Sequence, residues 1–105
     1  MTVLDANVRT WEELERDPAF VENMVRHEFL DAPIMVEIAR AESRFIPTAK
    51  NPASTATGVF QILVGTWAAY GCVGERTDAS DNIACARIIY NQDGTTPWNA
   101  SSENW

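Results

Sequence analysis

Residues 33–47 read PIMVEIARAESRFIP, and their apolar residues recur at the spacing of an amphipathic helix. At about 100° per residue, one arc collects the apolar side chains of Ile34, Met35, Ile38 and Phe45. The opposite arc collects the charged side chains of Glu37, Arg40 and Arg44, as a solvated face requires. Glu42 instead projects between Ile38 and Met35, on the side that the chain has to bury. The pattern predicts a helix that ends near Phe45 and carries a carboxylate on its apolar face.

The carboxylate of Glu42 has two interpretations. Either hydrogen bonds satisfy it as a structural group, or desolvation lets it keep a proton near neutral pH and act as a general acid. The next acidic residue is Glu75. A two-carboxylate glycosidase would therefore have to draw its second acid from Asp78, Asp81 or Asp93, none of which the pattern marks. A mechanism with one glutamate fits the chain better.

The length and composition limit the number of domains and the class of protein. The chain has 105 residues and is 46% hydrophobic, which predicts one domain over residues 1–105 with a single core. We divide it into an acidic helical segment, residues 1–31, and a core, residues 32–105. The chain lacks an apolar run long enough to span a membrane. The opening MTVLDANVRTW also lacks the layout of a secretion signal, so we expect a trimmed chain or another export route.

The charge is unevenly distributed. A net charge of −7 argues against nucleic acid as a partner, because phosphates require clustered Lys and Arg. Residues 1–42 hold ten of the fifteen acidic residues and four of the eight Lys and Arg residues. This acidic part is either a solvated helix surface or an interface for a partner or neighbouring domain.

Local signals predict most helix boundaries. Thr10 and Glu13 fit a capping box, and Pro18 either breaks the first helix or begins a second one. Asp31 is expected to cap the next helix, with Pro33 in its first turn.

The second half alternates turns and helices. Residues 48–58 are small, polar and turn-prone, and they allow at most a short hairpin. A short helix follows, with Thr66 as a cap and Gly71 at its end. A longer helix starts near Asp81 and stops at Gly94, and its predicted buried face holds Ile83, Ala86 and Tyr90. Pro97 begins at most one further turn, so the fold class is mainly α.

Cys72 and Cys85, with His27 alone, are too few for a structural zinc site, and we expect no metal. From the residues themselves, free buried thiols and a disulfide both remain open. His27 suits a helix surface better than a catalytic position.

Residues 41–62, AESRFIPTAKNPASTATGVFQI, resemble the catalytic domain of soluble lytic transglycosylases in the lysozyme-like superfamily. That family carries a Glu-Ser pair at a helix end, a Gly-x-x-Gln element and a Tyr-Asn pair late in a helix. The matching residues are Glu42-Ser43, Gly58 to Gln61 and Tyr90-Asn91, and the GTTPW tail followed by Ser101 also resembles family sequences. The resemblance spans residues 33–101. It implies a mainly α, lysozyme-like domain with a short hairpin or turn-rich region beside an active-site cleft.

The resemblance also implies an activity. Glu42 would cleave the β-1,4 bond between N-acetylmuramic acid and N-acetylglucosamine in peptidoglycan, first as an acid and then as a base. The product would be a 1,6-anhydro sugar. The enzyme would need no cofactor, and it would act outside the cytoplasm.

Roles for further residues follow from the same resemblance. Tyr90 would orient Glu42, unless it is a core tyrosine. Substrate would contact the side chains of Ser43, Ser54, Gln61, Asn91 and Trp98. Ser43 equally suits a helix cap, Gln61 a surface amide and Trp98 a core anchor. A disulfide would join Cys72 to Cys85 as a structural bridge, as is usual for small domains outside the cytoplasm.

Three alternatives stay open. The first is a hydrolytic lysozyme. The Val59-Phe60 pair stands where many transglycosylases have Leu-Met, and a Gly-x-Phe-Gln element also occurs in goose-type lysozymes, which hydrolyse the same bond. A non-catalytic glycan-binding or assembly domain of a phage particle or secretion system could retain the fold. The weakest alternative is a small acidic interaction domain whose motif matches are accidental. For the lead hypothesis we expect a monomer.

Overall fold

The structure is a computed structural model that describes residues 9–105. They form five α-helices and one 3₁₀ helix: α1 (Trp11–Leu14), α2 (Pro18–Glu28), α3 (Ile34–Ser43), α4 (Val64–Ala69), α5 (Ala79–Asp93) and the 3₁₀ helix (Thr96–Asn104). The predicted mainly α class is confirmed. None of the helices within this range combines the length and apolar character that crossing a bilayer requires.

The start of the described chain follows its local signals. The Thr10 hydroxyl accepts a hydrogen bond from the Glu13 N–H, and the Glu13 carboxylate accepts one from the Thr10 N–H, which completes the predicted capping box. Pro18 begins α2 as a new helix, because the Asp17 carboxylate caps it by accepting from the Ala19 N–H at 2.9 Å. The Thr10–Glu13 prediction is confirmed, and Pro18 starts a second helix.

The ends of α3 differ from the prediction. Asp31 does not cap this helix; Pro33 occupies the cap position without a side-chain hydrogen bond. The helix ends at Ser43, two residues earlier than expected, because Arg44 turns left-handed with φ 53°. Ile34 is 39% exposed and so lies outside the buried face that we assigned to it.

Arg87 explains the loss of the Asp31 cap. Its guanidinium donates hydrogen bonds to both carboxylate oxygens of Asp31 and to the Glu28 carboxylate, and it lies 4.5 Å from the centre of the Phe29 ring. The hydrogen bond from Arg87 lowers the pKa of Asp31. The Asp31 carboxylate therefore binds Arg87 and does not cap α3. This ion pair links α5 to the turn between α2 and α3.

The core lies between α2, α3 and α5. Its large, fully buried side chains come from all three helices and from the segment before α4, and they include Val21, Val25, Phe29, Met35, Ile38, Val59, Phe60 and Ile89. Phe60 packs edge-on against Phe29 with ring centres 5.7 Å apart. The segment of chain around Phe60 is thus part of the core although it is not helical.

Residues 50–62 form a minimal hairpin. Two isolated antiparallel bridges pair Lys50 with Thr57 and Thr57 with Ile62. This agrees with the expectation of at most a short hairpin. The hairpin brings the Gly58-to-Gln61 element against the helices.

The boundaries of the later helices need small corrections. Leu63 precedes α4, so Thr66 lies inside the helix and is not its cap. The cap of α5 is Asp78, whose carboxylate accepts from the Asp81 N–H at 2.9 Å, so α5 begins at Ala79 and not near Asp81. Gly94 ends α5 as predicted. The turn predicted at Pro97 is a longer 3₁₀ helix.

The Asn82 side chain joins α5 to the hairpin. It is completely buried; its oxygen accepts from the Phe60 N–H at 2.8 Å, and its amide group donates to the carbonyl oxygens of Thr57 and Arg76. Gly58 lies against the same amide with φ 90°, and a Cβ there would meet the Asn82 nitrogen and the Arg76 oxygen at 2.2 Å. Only glycine fits this approach.

Cys72 and Cys85 form a disulfide with their Cα atoms 5.3 Å apart. The bridge ties the chain that follows α4 to the middle of α5. The disulfide alternative is therefore the correct one, and the free-thiol alternative is wrong.

Removing this disulfide is expected to lower the free energy of unfolding by about 3 kcal/mol, because the bridge restricts the unfolded chain. Urea denaturation of the oxidised protein should show a higher midpoint than the Cys72→Ser, Cys85→Ser double variant. Reductant should lower the first midpoint and leave the second unchanged. Equal midpoints for oxidised and reduced protein would contradict the expectation.

Asn82→Ala is expected to lower the free energy of unfolding by roughly 2–6 kcal/mol, since it leaves the Phe60 N–H and the Arg76 carbonyl oxygen without a partner at about 1–3 kcal/mol each. The Thr57 carbonyl oxygen keeps the Ile62 N–H as a donor. Asn91→Ala, at an exposed position of the same helix, is the matched control and should change stability by less than about 0.5 kcal/mol. Urea denaturation measures both. If Asn82→Ala does not fold, Asn82→Asp keeps the acceptor for the Phe60 N–H. Measured at a pH low enough to protonate the aspartate, it also regains one donor for the carbonyl oxygens, and its stability should fall between the other two. A loss as small as that of the control would refute the role of Asn82.

Candidate active site

Glu42 lies half-buried in the last turn of α3, where the 3₁₀ helix packs against that helix. One oxygen of its carboxylate, Oε2, accepts a hydrogen bond from the Ser101 hydroxyl. Within residues 9–105, Ser101 is the only group that hydrogen-bonds this carboxylate. The structure therefore gives Glu42 a partner that comes from the far end of the chain.

Ser101 is itself held by two tryptophans. The Trp105 indole N–H donates to the Ser101 hydroxyl oxygen at 2.9 Å, and the Trp98 carbonyl oxygen lies 3.0 Å from the same hydroxyl. In a 3₁₀ helix, residues three apart share one side, so Ser101 follows the buried Trp98 onto the side that faces α3. Ser101 was not among the predicted site residues, because its contact with Glu42 crosses 59 positions.

Ser43 is 7% exposed and fastens the end of α3 to the hairpin. Its hydroxyl donates to the Val59 carbonyl oxygen at 2.7 Å and lies 3.2 Å from the Ala39 carbonyl oxygen. The same hydroxyl oxygen accepts from the Phe45 N–H at 3.1 Å. The structure therefore brings the Glu-Ser pair and the Gly58-to-Gln61 element together through Ser43.

Unusual backbone conformations occur on both sides of this junction. Among residues 9–105, the non-glycine residues with positive φ are Arg44, Phe45 and Gln61. Arg44 and Phe45 directly follow the Glu-Ser pair, and Gln61 ends the Gly-x-x-Gln element. Such conformations cost energy and concentrate at functional sites, so their clustering marks this junction as the candidate site.

Gln61 is half-buried, and its side chain lies on the hairpin. Its amide nitrogen donates to the carbonyl oxygens of Ala49 and Gly58, both at 2.9 Å. It also lines a small cavity of about 50 Å³ together with Leu63 and Trp98. Gln61 thus stabilises the hairpin through its side-chain amide.

The ring of Tyr90 contacts Phe29 and Arg87. It packs edge-on against Phe29 with centres 6.0 Å apart, and the Arg87 guanidinium lies 5.9 Å from its centre. Among residues 9–105 no hydrogen bond joins Tyr90 to Glu42. The next residue, Asn91, is exposed, and its oxygen accepts from Arg87 at 3.2 Å.

The two remaining predicted residues differ in exposure. Ser54 is exposed at the tip of the hairpin, where its hydroxyl accepts from the Ala56 N–H at 3.1 Å. Trp98 is only 5% exposed; its indole N–H donates to the Phe60 carbonyl oxygen at 2.9 Å. The ring of Trp98 therefore belongs to the core, next to Phe60.

Cavity size alone does not identify the site. A cavity of about 410 Å³ lies between the start of the described chain and α5, with apolar walls that include Trp11, Phe20 and Ile83. A wider one of about 680 Å³ lies between α2, the charged face of α3 and the end of the 3₁₀ helix, with walls that include Glu22, Arg40 and Asn104. Neither is lined by Glu42. The candidate site is defined by its chemistry at the end of α3.

Among known proteins, the chain matches a family model. The family model described as Transglycosylase SLT domain matches residues 21–94, about two thirds of the chain. No curated protein and no solved structure matches the chain. The matched range contains Glu42-Ser43, the Gly58-to-Gln61 element and Asn82, and it ends before Ser101. The chain therefore belongs to the transglycosylase SLT domain family of the lysozyme-like superfamily, a family of lytic transglycosylases that act on peptidoglycan.

Proposed function

We propose that this chain cleaves the β-1,4 bond between N-acetylmuramic acid and N-acetylglucosamine in peptidoglycan, with Glu42 as its single acid and base and a 1,6-anhydro sugar as the product. The observation that carries the proposal is the Glu42 carboxylate, half-buried at the end of α3 beside the junction with the hairpin. A carboxyl group in such a place can give and take a proton where a glycan would lie.

The other carboxylates support a mechanism with one acid. Asp78 caps α5, and the Asp81 carboxylate accepts from the Glu75 N–H at 2.9 Å. The Asp93 carboxylate accepts a hydrogen bond from the Tyr70 hydroxyl. These three acids were the candidates for a second catalytic carboxylate. Their carboxylates form hydrogen bonds within the protein at the start and the end of α5. An inverting hydrolase would need one of them placed to activate water.

The proposed reaction has two steps. Glu42 donates its proton to the glycosidic oxygen of the N-acetylglucosamine leaving group, and the bond from C1 of the muramic acid to that oxygen breaks. The carbonyl oxygen of the 2-acetamido group of the same sugar bonds to C1 and stabilises its positive charge. Glu42, now a carboxylate, takes the proton from the C6 hydroxyl. The C6 oxygen then bonds to C1, the bond from C1 to the acetamido oxygen breaks, and Glu42 is protonated again.

The remaining side chains have different roles in this proposal. Gln61 and the exposed Ser54 contact the glycan or its acetamido groups. Ser43 holds the end of α3 against the hairpin, because its hydroxyl donates a hydrogen bond to the Val59 carbonyl oxygen. Tyr90 keeps the predicted role of orienting Glu42, and the exposed Asn91 keeps the predicted contact with substrate. Trp98 supports the fold, because it is buried and its indole N–H donates to the Phe60 carbonyl oxygen.

The proposal places the protein outside the cytoplasm. Peptidoglycan, the substrate of the family, lies there, and the Cys72–Cys85 disulfide suits an oxidising environment. The monomeric state and the division at residue 31 stay predictions, and residues 1–8 of the acidic segment lie outside the described range.

Glu42→Gln is expected to lower the rate of muropeptide release by roughly 10²–10⁴-fold, because glutamine cannot transfer the proton. Mass spectrometry of the products from purified peptidoglycan should show anhydro-muropeptides from the unsubstituted protein. Glu37→Gln is the matched control: Glu37 is on the same helix, exposed and paired with Arg40, so its replacement should leave the rate within about twofold.

The products decide between the alternatives. Reducing-end products that depend on Glu42 would make the protein a hydrolase, as in goose-type lysozymes, and would refute the anhydro outcome. Binding of glycan without any release, by both the unsubstituted protein and Glu42→Gln, would refute catalysis and favour a glycan-binding or assembly domain.

A further inference from the structure

We infer that Ser101 and Trp105 are positioning residues for Glu42: Ser101 keeps the Oε2 atom of Glu42 as a hydrogen-bond acceptor, Trp105 fixes Ser101, and the Oε1 atom is left to carry the catalytic proton. The inference rests on the proposed function of Glu42. It adds two residues that the family match, which ends at residue 94, does not include.

The donor and acceptor count at Ser101 sets the direction of each bond. A serine hydroxyl has one hydrogen to donate and two lone pairs to accept, whereas an indole N–H can only donate. Trp105 must therefore donate to Ser101 over the 2.9 Å contact. The single hydroxyl hydrogen then has two acceptors within reach, the Glu42 Oε2 atom and the Trp98 carbonyl oxygen.

The carboxylate is the stronger acceptor of the two. A hydrogen bond to an ionised group is shorter and roughly twice as strong as one between neutral groups, so ionised Glu42 takes the Ser101 hydrogen. When Glu42 is protonated on Oε1, the Oε2 atom is a carbonyl oxygen and still accepts. A proton on Oε2 would instead force the Ser101 hydrogen to turn to Trp98. The hydrogen bond from Ser101 to Glu42 therefore keeps its direction through the acid and base steps only when the transferred proton is on Oε1.

Trp105 contributes through its N–H group. Its ring is half-buried against the core, and its donation occupies one lone pair of the Ser101 oxygen. This limits the orientations of the hydroxyl and aims its hydrogen at the acceptors. Phenylalanine at position 105 would keep an aromatic ring but remove this donor, so the substitution separates packing from hydrogen bonding.

Steady-state kinetics on soluble, uncrosslinked glycan strands test the inference. Ser101→Ala should lower kcat by roughly 10–100-fold, because the carboxyl group loses its fixed orientation, while KM stays within about twofold. Trp105→Phe should lower kcat by roughly 3–10-fold. Ser101→Thr retains a hydroxyl and should recover most of the lost kcat. The control is Ser102→Ala, at the exposed neighbouring serine, which should behave as the unsubstituted protein.

A spectroscopic readout separates this inference from the proposed function. The indole N–H resonance of Trp105, assigned by its absence in Trp105→Phe, should shift in Ser101→Ala and in Glu42→Gln but not in Ser102→Ala. Unchanged kcat in Ser101→Ala, together with an inactive Glu42→Gln, would overturn the positioning role and leave the proposed function standing. An inactive unsubstituted protein would overturn the proposed function; the resonance would then support the contact by shifting or refute it by staying in place.

Discussion

The hydrogen bonds of one buried amide organise the part of the molecule that carries its chemistry. Asn82 holds the backbone around Gly58 and Phe60 from the side of α5. Ser43 reaches the same backbone from α3, and the Trp98 indole reaches it from the 3₁₀ helix. Three helices thus converge on one short non-helical segment. Since buried polar groups that lose a partner are costly, the position of Glu42 at the end of α3 depends on a contact made two elements away.

The signal that identified Glu42 in the sequence is also present at Asn82. Both are polar residues on an otherwise apolar helix face: Asn82 shares its face with Ala79, Ala86 and Ile89, which are buried. Reading that spacing would have predicted a buried amide that must find partners. Local rules also placed Gly94 correctly and gave the start of a helix at Pro18 as one of two outcomes, because proline and glycine act through their own backbone.

Predictions failed where distant residues decided the outcome. Asp31 had the residue type of a cap, but Arg87, 56 positions later, binds its carboxylate. Ser101 meets Glu42 only because a 3₁₀ helix of unusual length continues past Pro97, where we expected a single turn. The orienting role of Tyr90 stays a prediction, because the contacts of its ring with Phe29 and Arg87 do not decide it. Sequence patterns report the neighbours of a residue along its own element, and these contacts lie between elements.

The separation of Glu42 and Ser101 along the chain has a consequence for biosynthesis. A ribosome completes the helix that carries the carboxylate long before it adds residues 98–105, so a nascent chain holds Glu42 without its hydrogen-bond partner. A protease that cut between α5 and the 3₁₀ helix would return the molecule to that state while leaving the disulfide and the contacts of Asn82 in place. The surroundings of the carboxylate are therefore completed only after the 3₁₀ helix has been synthesised, and they can be lost separately from the core.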